Sequence, residues 1–162
     1  MKIDYSRPYV KELDELLTGK SKTMIRDIAL RSYGSFTDLT VGQWIRCSQG
    51  DYTCVIGDMT GSWLQVYWLK YFVDEAKRFP ETLEHLSPKM DANEQRACEV
   101  LMQSTLVESV LVFARNYFQI PSFSAVEQLT IGEILIAKKA SYNEIMYNKR
   151  VAKIRAEQYK RK

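Results

Sequence analysis

The sequence predicts an all-α or mostly α protein. It reads as a bundle of about five to six helices, with a glycine-punctuated loop at 48–62 and a long basic C-terminal helix. Three observations carry this. Apolar residues recur at three- and four-residue spacing through most of the chain, the period of a helix with one buried face. Gly (seven) and Pro (four) are scarce in 162 residues, which disfavours a turn-rich sandwich or barrel. Helix-start pairs stand before the apolar runs: a capping side chain at Thr40, Asp91 and Thr130, with Gln43, Glu94 and Glu133 three residues later. The length fits one domain, divided into a helical body at 1–129 and an amphipathic arm at 130–162.

The elements follow in order. Pro8, Tyr9, Val10, Leu13, Leu16 and Leu17 predict a short first helix, with Gly19 as its stop. Ser21 caps a second helix carrying Met24, Ile25, Ile28 and Ala29, and Gly34 closes it. A third helix starts at Thr40. Gly50, Gly57 and Gly61 then punctuate a loop in which DYTCVIGD reads as a short strand or a helical turn. A helix over 61–79, ended by Pro80, follows. A long central helix is expected from Ser87-Pro88, with Asp91 and Glu94 offering a second possible start three residues later, to about Phe118 and closed by Pro121. Its inward residues would be Ala97, Leu101, Thr105 or Leu106, Val110 or Leu111, and Ala114 or Phe118. The last helix begins at Thr130 and continues almost to the end.

LTVGQW at 39–44 and LTIGEI at 129–134 are nearly one word, ninety positions apart. Each spells a helix start. Thr40 and Thr130 cap, Gln43 and Glu133 reach back to the cap N–H, and Leu39/Trp44 and Leu129/Ile134 form the hydrophobic staple. This explains every repeated residue except Gly42 and Gly132. Gly in a helix costs up to about 1 kcal/mol against Ala, and its retention in both copies points to close approach of another backbone. Tyr33 and Phe123, six residues before the two leucines, also correspond, as an internal duplication would have them.

Charge is uneven. Residues 137–162 carry nine basic and two acidic groups, or +7, while the other 136 residues carry 14 basic and 18 acidic groups, or −4. Arm cations Lys149, Arg150, Lys153 and Arg155 interleave with Tyr142 and Tyr147, beside an expected apolar face of Ile134, Tyr142, Ile145, Met146 and Ile154. Such an arm suits a solvated helix end, a partner protein or a nucleic-acid backbone. A second partner surface is expected on the 61–79 helix at Trp63, Tyr67, Trp68 and Tyr71. Aromatics at that density belong either to a domain core or to a subunit interface.

No chemistry is legible. His85 is the single histidine and has no evident partner. GDMTGS at 57–62 lacks the lysine and spacing of a phosphate-binding loop. Cys47, Cys54 and Cys98 form neither a disulfide framework nor a four-ligand zinc set. No catalytic, cofactor-binding, metal-binding or small-molecule residue is assigned. The N-terminal MKIDYSRPYV has no apolar signal segment, and no apolar run reaches the ~20 residues of a membrane span. A protein that is neither secreted by a signal peptide nor membrane-spanning is expected.

The two repeated phrases, the second leading into a basic, Tyr-rich helix, resemble a phrase of small structural and assembly proteins of tailed bacteriophages. These are of the tail-assembly chaperone and head-to-tail ring component kinds. The resemblance implies a non-enzymatic oligomeric protein of the virion or host cytoplasm. Its partners would be other copies of itself or other phage structural proteins. The alternative is a helical nucleic-acid-binding protein using the basic arm.

Overall fold

Helix-start boxes lay out this chain. The computed structural model describes residues 21–98 and 104–160. In order, these form α1 (Ser21–Tyr33), a 3-10 turn (Phe36–Asp38), α2 (Val41–Ser48), α3 (Thr53–Ile56), α4 (Trp63–His85), α5 (Ala92–Cys98), α6 (Leu106–Tyr117), α7 (Phe123–Val126) and α8 (Ile131–Lys160). The protein is mostly helical, and no strand occurs among the described residues. The expected helix at Pro8–Leu17 lies outside them.

Both boxes in the repeated word form. Thr40 Oγ1 accepts from the Gln43 N–H at 3.1 Å, and Gln43 Oε1 accepts from the Thr40 N–H at 3.0 Å. Thr130 and Glu133 repeat this at 3.1 and 2.7 Å. Each bond satisfies a backbone donor that the first helical turn leaves without a partner. Asp91 and Glu94 exchange the same pair of bonds ahead of α5, at 2.9 and 2.8 Å.

α4 is the central core helix. Gln65, Trp68, Phe72, Phe79 and Leu83 form its buried face, at the three- and four-residue spacing that packing requires. Trp68 stacks on Phe72 with centroids 5.5 Å apart, and Phe79 meets Trp44 at 5.3 Å and Phe36 at 5.5 Å. α1 packs along α4. The connection after α1 is pinned from α4 by two polar contacts. Trp68 Nε1–H donates to the Gly34 carbonyl at 2.9 Å, and the Tyr71 hydroxyl accepts from the Phe36 N–H at 2.9 Å.

Three expectations are corrected, and one choice left open is resolved. Pro80 does not end the aromatic helix; it sits inside α4, which continues to His85. An interior proline costs about 3 kcal/mol. Here Phe79 and Leu83 are buried on either side of it, and packing each contributes roughly 1.5–3 kcal/mol. The central helix from 88 to 118 is two helices, α5 and α6, because Thr105 and Glu108 form another box at 3.2 and 2.7 Å. Val110 and Ala114 are buried as expected, but Thr105 is an exposed cap, Leu106 is exposed and Phe118 lies on the surface. The side chains of Ala97 and Leu101 lie outside the description. Within DYTCVIGD, the choice resolves to a helical turn, α3. Finally, the expected apolar face of α8 is not buried along its length: Ile134 is buried at its root while Met146 and Ile154 are exposed.

Candidate functional site

The two copies of the repeated word meet. Thr40 and Thr130 form an isolated antiparallel bridge, flanked by Val41 N–H to the Leu129 carbonyl and Ile131 N–H to the Leu39 carbonyl, both at 2.8 Å. An antiparallel pair of this kind has a local two-fold axis through the bridge. The core around it follows the same symmetry: Phe36, Leu39, Val41, Trp44 and Cys47 stand where Val126, Leu129, Ile131, Ile134 and Ala137 recur ninety positions later. All are buried except Leu129, which packs against the cluster. Phe36 and Val126, three before each leucine, are matched in burial as well as in position. Tyr33 and Phe123, also ninety apart, are not: Tyr33 meets the Trp68 ring and Phe123 is exposed.

This seam explains the two glycines. A Cβ on Gly42 would stand 3.3 Å from the Glu127 carbonyl oxygen and 3.3 Å from its Cβ. One on Gly132 would stand 3.1 Å from the Thr37 carbonyl oxygen. Gly42 N–H also donates to the Glu127 carbonyl at 3.0 Å. Each start thus lies against the backbone two residues before the opposite leucine. Gly132→Ala is expected to destabilise the fold by about 1–3 kcal/mol, the range for overpacking, and Gly42→Ala by less. Chemical denaturation measures both. Stabilisation by either, as helix propensity alone predicts, would refute the close-approach account.

An open cleft of about 330 Å³ lies beside the seam, lined by Thr40, Gly42, Gln43, Ile45, Arg46, Glu127 and Gln128. It has no convergent nucleophile and base. Arg46 is held by Asp51, with Nε–H donating at 2.8 Å. Cys47 and Cys54 approach to 3.8 Å, but burial first, then neighbouring Cys54, pushes the Cys47 thiol up to about 12, which keeps it protonated at neutral pH. Among the described residues no three His, Cys, Asp or Glu side chains group as metal ligands, and no helix is long and apolar enough to cross a membrane.

Three exposed carboxylates are held below their usual range: Asp38 by the Ser35 hydroxyl and N–H, Asp51 by the Thr53 hydroxyl and Arg46, and Glu108 by the Thr105 N–H and hydroxyl. The folded state therefore binds fewer protons than the unfolded chain in the acid range. Their contribution is complete above the ordinary carboxylate range of about 4 and is lost as pH falls below it, through the lowered folded-state values. The melting temperature is expected to fall as pH drops below about 4, and less steeply in the Asp51→Asn, Glu108→Gln double variant.

The proposed partner residues separate into two groups. Trp68 has 0% exposure and Tyr71 is spent on Phe36, so both serve this chain's own interior, while Trp63 and Tyr67 are half-buried on α4. The arm is different. Ile131, Ile134 and Ala137 root α8 in the core. From Asn143 to Tyr159 every residue is exposed except half-buried Val151. Ile136, Tyr147 and Tyr159 are 72%, 68% and 79% exposed. Lys149 reaches Glu94 at 3.5 Å and the Lys89 carbonyl at 3.4 Å, while Tyr142 is half-buried and Arg150, Lys153 and Arg155 are exposed.

Two features of this surface carry signals in the sequence that helix periodicity passes over. Basic pairs recur every eleven residues: Lys138-Lys139, Lys149-Arg150 and Lys160-Arg161, the last residue lying outside the described chain. Eleven residues advance a helix by only about 20° beyond three turns, so such pairs line one side. The other is NYFQIPSF at 116–123, which places Tyr117, Phe118 and Phe123 on the surface. No protein-family model, curated protein or solved structure matches the chain.

Proposed function

We propose that this is a non-enzymatic structural or assembly protein, of the kind that tailed bacteriophages use in head-to-tail and tail assembly. It works by helix packing between subunits, in the virion or the host cytoplasm. The observation that carries this reading is α8: a helix rooted in the core whose outer half displays Met146, Tyr147, Ile154 and Tyr159 to solvent. Large apolar side chains on one projecting element are costly to leave wet, and burying each contributes roughly 1.5–3 kcal/mol. Trp63 and Tyr67 on α4 offer a second, smaller contact. The partners are other copies of this chain or other phage structural proteins. Light scattering of the full chain at micromolar concentration is expected to show a stable oligomer, or a hetero-complex when a partner is supplied. A clean monomer with no partner recovered would sink the proposal.

The eleven-residue recurrence of basic pairs favours one second reading, a nucleic-acid-binding arm. It predicts affinity for DNA or RNA that collapses between about 50 and 200 mM salt and is lost with residues 148–162. Undetectable binding at low salt would rule it out.

A further inference from the structure

We infer that Cys47 and Cys54 form a reversible dithiol–disulfide site, oxidised through Cys54 by a small-molecule disulfide, that fastens α3 to the end of α2. This is independent of the assembly reading. Both thiols are free, and their sulfurs lie 3.8 Å apart. A disulfide bond is about 2 Å long, so rotation about the two Cα–Cβ bonds and a small movement of α3 close it. α3 is a four-residue helix. A Cβ at Gly50 or Gly57, on either side of it, would meet nothing within 4 Å, so open space surrounds both ends. Packing alone does not call for a sulfur at position 47. Its mate across the seam is Ala137, and the two are 1% and 2% exposed, so alanine fills the matching place. What the Cys47 sulfur adds is its contact with Cys54. Two backbone carbonyls hold the Cys54 sulfur there, that of Asp51 at 3.4 Å and that of Gln43 at 3.9 Å.

Exposure sets the order of the chemistry. Cys54 is half-buried while Cys47 is closed off, so Cys54 meets the oxidant first. Its thiolate attacks one sulfur of the external disulfide. A bond forms to Cys54 Sγ, the external S–S bond breaks, and one thiolate leaves. Cys47 then gives up its proton to water and attacks Cys54 Sγ, and the second external thiolate leaves. The two cysteines lose two electrons and two protons, and the external disulfide becomes two thiols. Burial, the main cause holding Cys47 protonated, remains during this second step. The next two causes, the charge and the hydrogen bond of Cys54, vanish once Cys54 is capped. In the reduced chain the Gln43 side-chain amide ties α2 to α3 by donating to the Cys54 carbonyl at 3.3 Å. The disulfide adds a covalent tie beside it, next to the cleft that Gln43 and Arg46 line.

Titrating the folded full chain with oxidised against reduced glutathione tests this. Free thiols are trapped with N-ethylmaleimide in denaturant and the chain is cut with trypsin. Both cysteines fall in one peptide, residues 47–70, since no Lys or Arg intervenes. Under oxidised glutathione that peptide is expected to carry no maleimide and to be lighter by two hydrogens, and dithiothreitol should restore both thiols. Amide hydrogens of α3 should exchange at least about tenfold more slowly in the oxidised chain. Cys47→Ala, which copies the seam mate, should stop at a Cys54–glutathione mixed disulfide, and Cys54→Ser should leave Cys47 unreacted. Circular dichroism checks that both variants fold. A 47–70 peptide carrying two maleimides at every glutathione ratio would overturn the site, as would its linkage to the Cys98 peptide. A Cys47–glutathione adduct in folded Cys54→Ser would overturn the order of attack. Unchanged exchange in the oxidised chain would overturn the fastening of α3.

Discussion

Trp68→Ala is expected to destabilise the folded chain by about 3–5 kcal/mol, the range for removing a fully buried large aromatic. Trp68 has no exposed surface, stacks on Phe72 at 5.5 Å, and donates its indole N–H to the Gly34 carbonyl at 2.9 Å. The substitution leaves a cavity at the centre of α4 and removes the donor that pins the chain between α1 and the 3-10 turn. Urea denaturation of the dilute chain measures it. The result separates two roles that aromatic density alone leaves open. A core residue destabilises the single chain; an interface residue leaves the single chain unchanged and weakens only association. Loss of association with unchanged denaturation of the dilute chain would overturn the core assignment.

Gln65→Leu is expected to cost about 2–4 kcal/mol although it replaces a buried polar group with an apolar one of similar size. Gln65 is 4% exposed and holds the loop before α4 almost by itself. Its Oε1 accepts from the N–H groups of Thr60, Gly61 and Ser62 at 3.1, 3.0 and 3.3 Å, and from the Thr60 hydroxyl at 3.0 Å. Its Nε2 donates to the carbonyls of Ile56 and Asp58 at 3.2 and 2.8 Å. Leucine fills the space but strands these groups, and an unmade hydrogen bond at a buried site costs more than a made one contributes. The loop between α3 and α4 should then exchange its amide hydrogens faster, read by mass spectrometry. An unchanged exchange pattern and melting temperature would contradict this role.

These cases show how much the sequence exposes and where it stops. Local signals read well. The boxes at Thr40, Asp91 and Thr130 form as their spacing requires, and the backbone approach inferred from Gly42 and Gly132 is present on both sides of the seam. Misreadings arise where a local word competes with periodicity. Thr105 and Glu108 spell the same box, yet they lie inside an apolar run and read as helix interior. Ser62 and Gln65 spell another, and Gln65 also does the loop's work. Pro80 reads as a stop because nothing local reveals that Phe79 lies against Trp44 and Phe36. The pairing of Leu39–Val41 with Leu129–Ile131 is a contact across ninety residues. Repetition hints at it, but only tertiary structure shows the two copies facing each other. The last helix expected from Thr130 forms as α8 over Ile131–Lys160. Its division into a buried root and an exposed outer half depends on where the body ends, which periodicity does not encode.

The assembly role of α8 meets its most direct test in sedimentation velocity of the full chain beside a chain ending at Tyr147. Both should be run at micromolar concentration and physiological salt, without nucleic acid. The full chain is predicted to sediment as an oligomer, and the shortened chain as a folded monomer with an unchanged helical body. Two monomers, or two identical oligomers, would contradict the account.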